Sequence, residues 1–541
     1  MQKVATGQGD VKYPYHINEF AHSMGNALGN FAQYWQSIDS TNFFMGGAIW
    51  DWVDQSLWNY TQEGVPYLAS GGNFGDIPND GQFVMNGVLN GDRSPKPQYF
   101  EVKKVYQSLN TSLVGVNGNV AEICLFNRNY YEPSSFDATW TLIADGKPLR
   151  SGSFEASGIV PREKVVRQID LGDIPSGKEC YLNVSYALKD DMPWAPKGFE
   201  ACKDQFALKN VILSEAKNLS GRAPKHFIDR KTGNLVVKGS RFRVEFDQAQ
   251  GTIASLKYCR KDVIIPGQGP RLNAFRALVN NDAWVFKGWF AQGLHNLEHR
   301  ASGMKVEEKD GSVVVSFDVV SRAPNAAHLV GTSASATCVI EDDQDIKDVM
   351  QFTSHVVWAV DRKGNVKFSS KITSDKPAQV LGRLGYIMQV PSSLADFTYY
   401  GRGPVENYSD RYTNAFVGIY SSTVAEQVGN YTKPQEMANH EQVRWASLTG
   451  RHGRGVLFEA SENSLRSSDF GRPVMSVSAL PYSAVDLVQA AHQCDLPAPG
   501  DTWLCLDAAD LGLGGNSCGP SPLEEDRVHP SATFGFIIRL K

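Results

Sequence analysis

The residues with the clearest chemical potential fall in the stretch Tyr15 to Asn26, YHINEFAHSMGN. An alternating apolar run from Tyr13 to Ile17 ends in Asn18-Glu19, then come Phe20, Ala21, His22 and a Ser-Met-Gly-Asn turn that opens a helix. A carboxylate at the end of a strand is a recurring catalytic placement, because a barrel strand delivers its last side chain into the mouth where the loops gather. Glu19 is therefore a candidate catalytic carboxylate. On this stretch alone it reads equally well as a charge favoured at the positive end of the following helix.

Two other segments could join it around a hydroxyl-rich ligand such as a sugar. Trp50-Asp51-Trp52 follows an apolar run, so Trp50 can offer a ring face to the C–H face of a pyranose. The loop GGNFGDIPNDGQFVMNG, residues 71 to 87, supplies Asn79, Asp80 and Asn86. Such groups suit hydroxyls, and they also suit hard cations, which take oxygen ligands. Each has a plainer reading: a tryptophan in an apolar strand is usually core, loop Asn and Asp commonly serve their own turns, and His22 can simply bond a nearby carbonyl.

The elements that must position these groups read as strand, helix, strand, loop, helix up to about Leu109. A helix is expected from about Met24 to Ile38, with Leu28, Phe31, Trp35 and Ile38 on one face. The run Phe44 to Trp50 has the unbroken apolar character of a buried parallel strand, and Pro97 opens a helix carrying Val102, Val105, Tyr106 and Leu109. Two parallel strands cannot close a barrel, which takes about eight. The exposed flank of such a remnant should be apolar, which predicts self-association or ordered pairing with another copy.

From about Thr111 the pattern turns to short alternating strands, Glu122 to Asn127, Thr139 to Ala144 with an Asp145-Gly146 turn, and Cys180 to Leu188, the spacing of an immunoglobulin-like sandwich. Polar residues from Ser214 to Lys225 form a linker. The rest is again strand-rich, with hairpin signals at residues 231–234, 310–311 and 363–365, and reads as one large double-sheet sandwich. The fold class is thus multidomain and mainly β: a partial (β/α)8 TIM-barrel segment over residues 1–110, an immunoglobulin-like β-sandwich over 111–213, and a large C-terminal β-sandwich over 226–541.

Bulk properties agree with a large chain of roughly three domains. With 541 residues, 42% apolar, 11% aromatic and a formal net charge of −5, the chain has no basic stripe, so nucleic acid is not an expected partner. No apolar run is long enough to span a bilayer. MQKVATGQGDVKY lacks the apolar segment of a signal peptide, and the compartment, cytoplasmic or periplasmic, stays open. The eight cysteines show no zinc-ligand spacing and read as reduced core residues, although distant pairs could bridge in an oxidising compartment.

Taken together, HINEFAHSMGNALGNFAQYW, GGAIWDWVDQSLW and GGNFGDIPNDGQFVMNG resemble the second half of the catalytic barrel of the large bacterial β-galactosidases of glycoside hydrolase family 2. YYGRGPVENYSDR at 399–411, YTKPQEMANHEQVRW at 431–445 and TWLCLDAADLGLGGNSCGPSP at 502–522 resemble their large C-terminal sandwich. The resemblance covers nearly the whole chain and is weakest over residues 111 to 270.

It implies a retaining mechanism with two carboxyl groups roughly 5–5.5 Å apart, one attacking the anomeric carbon and one protonating the leaving oxygen. By motif match Glu19 is the nucleophile, His22 and Trp50 contact the galactose, and Trp503 is lent to the active-site rim by the C-terminal sandwich. Asn86 would bind both sodium and sugar, the Phe83 main-chain carbonyl would be another Na+ ligand, and Asn79 a ligand of a secondary Mg2+ site. The family's acid/base glutamate, principal magnesium ligands and a substrate-contacting tyrosine belong to a His-Gly-Glu-Asn-like segment and its neighbours, which this sequence does not contain. Glu406, Glu436 and Glu441 sit in the sandwich, and no motif places them beside Glu19. The expectation is a truncated or split β-galactosidase acting on β-galactosides, inactive alone and completed by an N-terminal portion. The alternative is a non-catalytic carbohydrate-binding or scaffold protein. Relatives acting on β-glucuronides or β-mannosides fit less well, given the Trp503 motif and the large terminal sandwich.

Overall fold

The computed structural model describes residues 13–41, 43–208, 223–331 and 338–541. The first segment is built on two parallel strands, β1 (Tyr15–Phe20) and β2 (Phe44–Ile49), with helix α1 (Phe31–Asp39) crossing between them. After a hairpin of β3 (Leu57–Tyr60) and β4 (Pro66–Ala69), helix α2 (Pro97–Val105) returns to pack near α1. A small core of Phe20, Leu28, Phe31, Ile38, Phe44, Val88 and Val102 joins them. Gly47 is required where β2 passes β1, since a Cβ there would lie 2.6 Å from the Phe20 ring and 2.7 Å from the Ile17 carbonyl. The β3–β4 hairpin has no counterpart in the sequence reading.

Helix α1 begins seven residues after the expected Met24, at Phe31. The intervening Gly25, Leu28 and Asn30 hold φ of 61°, 73° and 57°, left-handed values incompatible with a continuing helix. What holds them is tertiary: Arg411 donates to Asn26 Oδ1 and the Ala27 carbonyl, and Gln98 donates to the Gly25 carbonyl. Leu28 is buried all the same, so its place in the periodic face reflects burial rather than helicity.

Seven strands follow, four in one sheet and three in another, around a common core that includes Ile123, Leu125, Leu182, Val184 and Tyr186. Cys180–Leu188 is a strand as expected, and residues 145–146 turn between Phe136–Ala144 and Lys147–Glu155. The expected linker lies mostly outside the described residues; its end, Lys225, already begins the strand Lys225–Ile228.

The C-terminal region carries a nine-stranded sheet and a five-stranded sheet over one extensive core, and a further five-stranded antiparallel meander starts it. With the two-stranded pair Ala326–Val330 and Val339–Asp343, the described residues of this region form four sheets, two more than a simple double layer. All three expected hairpin turns connect paired strands. None of the eight cysteines is in a disulfide; Cys180, Cys202, Cys338 and Cys505 are buried, whereas Cys259, Cys494 and Cys518 are exposed and depart from the core reading. Among the described residues no helix is long and apolar enough to cross a membrane.

The barrel segment is fastened to this region by buried charge. Arg411, 0% exposed, pairs with Glu406 at 3.3 Å and with the Asn26 turn, while Glu101 of α2 accepts from Thr413 Oγ1 at 2.6 Å and Asn414 Nδ2 at 2.7 Å. Beside them, Asp410 accepts from the Gly514 amide at 2.7 Å, but its Oδ1 is sealed without a partner among the described residues. Burial, reinforced by the neighbouring Asp526 charge, pushes Asp410 up from the ordinary 3.8 to about 6.

The folded chain therefore binds this proton more tightly than the unfolded chain. The resulting stability is complete below about pH 4 and is lost as pH rises through about 6, on the order of 2–3 kcal/mol in all. Asp410→Asn, which keeps an oxygen for Gly514 but cannot ionise, should gain stability relative to the native chain as pH rises across this window. Parallel denaturation midpoints of the two proteins at every pH would contradict the assignment.

Candidate active site

The three segments that carry the candidate residues meet at the C-terminal ends of β1 and β2. Phe20 pairs with Ile49 at the strand ends, the Ser23 amide donates to the Trp50 carbonyl at 2.7 Å, the Gly25 amide to the Met85 carbonyl at 3.0 Å, and the Asp51 amide to the Asn86 carbonyl at 2.5 Å. Backbone hydrogen bonds thus knit the Glu19–Asn26 turn, the Trp50–Asp51 corner and the Phe83–Asn86 loop into one surface. In a barrel this is the end where catalytic groups collect.

Glu19 sits on this surface, exposed, with φ 53°. A left-handed glutamate is uncommon and is held by its surroundings rather than by local preference. Among the described residues it has no hydrogen-bond or ion-pair partner, so no helix-capping role is realised. His22 is 4% exposed, and burial holds its pKa below the ordinary imidazole value. Its Nδ1 lies 2.8 Å from Ser517 Oγ, and its ring centroid 6.4 Å from that of Phe83. Trp50 is 37% exposed, leaving ring surface available to a ligand rather than core.

The loop beneath is braced by a buried ion pair. Lys96 Nζ lies 2.6 Å from Asp54 Oδ1, which also accepts from the Gly87 amide at 2.8 Å. Burial is the leading influence on both groups, raising Asp54 and lowering Lys96 toward neutrality against their mutual attraction. Next in the chain, Asn86 is 4% exposed and donates through Nδ2 to the Phe83 carbonyl at 2.8 Å, while its Oδ1 is sealed with no partner among the described residues.

An orphaned amide oxygen beside a main-chain carbonyl fits one corner of a hard monovalent cation site. Asn79 serves its own turn, its Nδ2 donating to the Asp76 carbonyl at 2.9 Å and its Oδ1 accepting from the Gly81 amide at 3.0 Å. Among the described residues no cluster of three or more His, Cys, Asp and Glu side chains could hold a metal ion.

The structure does not bring Trp503 to this group. It lies in the strand Thr502–Asp510, paired with Gln389 and Leu480, its ring 5.7 Å from the Arg271 guanidinium. The large sandwich reaches the site instead through Asn281 and the Gly514–Ser517 turn, which the sequence reading did not single out. Glu406, Glu436 and Glu441 are committed elsewhere, to Tyr431 and Arg411, to Arg383, and to Asn439 and Ser476 respectively. A cavity of about 720 Å³ lies on the flank of the barrel segment against the following domain, lined by Ile49, Trp52, Tyr99, Tyr106, Trp194 and Phe199. Elsewhere on the barrel segment Tyr13 is 80% and Met45 65% exposed, and Trp52 at the cavity is 55% exposed.

Comparison with known proteins places this surface in context. The family described as Beta galactosidase small chain matches residues 238–540, over half of the chain; Glycosyl hydrolases family 2, TIM barrel domain, matches 1–111; Beta-galactosidase, domain 4, matches 123–209. The β-galactosidase of Priestia megaterium is 28% identical over 97% of this chain and 46% of its own length. β-Galactosidase BgaC of Bifidobacterium adolescentis is 28% identical over 96% and 46%, and the β-galactosidase of Psychromonas ingrahamii 29% identical over 95% and 47%. The chain spans about half the length of these relatives. Among solved structures, galactose 1-epimerase from Lactobacillus acidophilus covers 60% of this chain and 98% of its own at 10% identity, with a TM-score of 0.29, too low to carry an argument.

Proposed function

Because the chain belongs to the β-galactosidases of glycoside hydrolase family 2, we propose that it supplies the nucleophile half of a retaining β-galactosidase site. The observation that carries this reading is Glu19, an exposed carboxylate without a partner among the described residues, at a left-handed position where backbone hydrogen bonds join its segment to those of Trp50 and Asn86. A purely scaffolding segment has no use for such a residue.

In the proposed cycle Glu19 attacks the anomeric carbon as the glycosidic bond breaks, giving a covalent galactosyl ester, which water then hydrolyses with net retention. Trp50 presents its ring to the sugar, and His22 and Asn86 hold hydroxyl groups. The Phe83 carbonyl and the Asn86 amide oxygen would hold Na+, which when bound orients a sugar hydroxyl. The proton for the departing oxygen comes from a carboxyl group carried by an N-terminal portion outside this chain, since Glu406, Glu436 and Glu441 are held by buried structural partners. The apolar flank of the barrel segment is where that portion docks.

The test is to assay the purified chain on lactose and on an activated aryl β-galactoside, with and without the N-terminal half of a related β-galactosidase. A poor leaving group without its acid loses on the order of 10²–10⁴-fold in rate, so lactose turnover should require both parts. Robust lactose hydrolysis by the chain alone would overturn the two-part reading.

A further inference from the structure

We infer that Ser517 and Asn281, both contributed by the large sandwich, fix His22 as its Nδ1–H tautomer and thereby reserve Nε2 as an acceptor for a sugar hydroxyl. The identity of the hydroxyl rests on the function proposed above; the tautomer rests on geometry alone.

The orientation of the Asn281 amide is set by backbone groups that cannot reverse. The Ser517 amide N–H donates to Asn281 Oδ1 at 3.0 Å, and Asn281 Nδ2 donates to the Gly514 carbonyl at 2.8 Å. Oδ1 is thus the acceptor end, and the Ser517 hydroxyl, 2.7 Å from the same oxygen, donates its single proton there. A hydroxyl that has spent its proton can only accept from another neighbour. His22 Nδ1, 2.8 Å from Ser517 Oγ, must therefore carry the ring proton. A neutral imidazole has one N–H, so Nε2 is left with a lone pair and, among the described residues, with no partner.

The relay is itself well anchored. Asn281 is 0% exposed, and the Gly514 carbonyl that receives its amide also accepts from the Gly29 amide at 3.1 Å, on the barrel segment's own turn. The Gly514 amide is fixed by Asp410 at 2.7 Å. The sandwich thus acts on the barrel site by choosing which nitrogen of one imidazole can accept, without touching the sugar. Ser517 is in this sense a positioning residue.

Histidine-selective ¹⁵N labelling of the whole chain, read at a pH where the ring is neutral, tests the tautomer directly. The native chain and Ser517→Thr should show a protonated, pyrrole-type Nδ1 and a bare, pyridine-type Nε2 for His22. Ser517→Ala should move both signals toward a tautomeric average. A pyrrole-type Nε2 in the native chain, or a Ser517→Ala spectrum identical to it, would overturn the inference. In the complemented enzyme Ser517→Ala should weaken galactose inhibition about 3- to 10-fold, the value of one hydrogen bond, with Ser517→Thr close to native. Failure of the complemented enzyme to turn over any galactoside would contradict the functional reading, while the ring-nitrogen pattern decides the tautomer independently.

Discussion

Glu19→Gln is expected to cut turnover of an activated aryl β-galactoside by the complemented enzyme on the order of 10³-fold or more, because an amide cannot attack the anomeric carbon. The substitution nearly conserves size and leaves the acid-catalysed half of the reaction intact, so the choice of an activated leaving group isolates the nucleophile's contribution. Glu19 is exposed and bonds to no described neighbour, so its replacement should change stability by no more than about 0.5 kcal/mol. Loss of rate with unchanged thermal stability and little change in KM is the signature of a group acting in the chemical step. Comparable loss accompanied by early unfolding would instead mean that Glu19 holds the turn together.

Arg411→Met should have the opposite profile, a large loss of stability from a residue remote from the reacting atoms. The guanidinium is 0% exposed, pairs with Glu406 at 3.3 Å, and donates to Asn26 Oδ1 at 2.7 Å and the Ala27 carbonyl at 2.8 Å. Removing it leaves the buried Glu406 carboxylate without its countercharge, though still hydrogen-bonded by Tyr431, and two acceptors without their donor, which costs about 3–5 kcal/mol. Since a chain of several domains need not unfold in one step, the informative measurement is limited proteolysis. Cleavage in the barrel segment should accelerate while the sandwich strands stay protected. Unchanged digestion would show that Arg411 does not dock the two parts. Because Asn26 lies four residues after His22, the same substitution should also loosen the site.

Much of this architecture was legible because periodicity reports burial. The parallel strands, the Pro97 helix, the Cys180–Leu188 strand and all three hairpins of the large sandwich follow from alternation, an apolar run or turn residues. The Met24 helix failed for a specific reason: Leu28 is buried by Arg411 and Gln98 holding the turn, contacts hundreds and tens of residues away that no local pattern encodes. The candidate site divides in the same way. Glu19, His22, Trp50 and Asn86 lie in three segments that backbone hydrogen bonds join at the strand ends.

Trp503, chosen because it stands in a recognisable sandwich motif, belongs to an inner strand, and the reach into the site is made by Ser517, fourteen residues further along the same motif. The glycine-rich GLGGNSCG turn was the available signal, since close backbone approach at Gly514, which receives Gly29 and Asn281, needs such a sequence. Asn79 shows the converse. Its loop looked like a ligand source but satisfies itself, as loop asparagines commonly do.

The most direct test of the central claim is to trap the intermediate. The complemented enzyme would be incubated with a 2-deoxy-2-fluoro-β-galactoside bearing an activated leaving group, which slows hydrolysis of a galactosyl ester more than its formation, and then digested for mass spectrometry. The account predicts a single fluorogalactosyl adduct on the peptide of this chain that contains Glu19. An adduct on any other residue, or full inactivation with the Glu19 peptide unmodified, would contradict it.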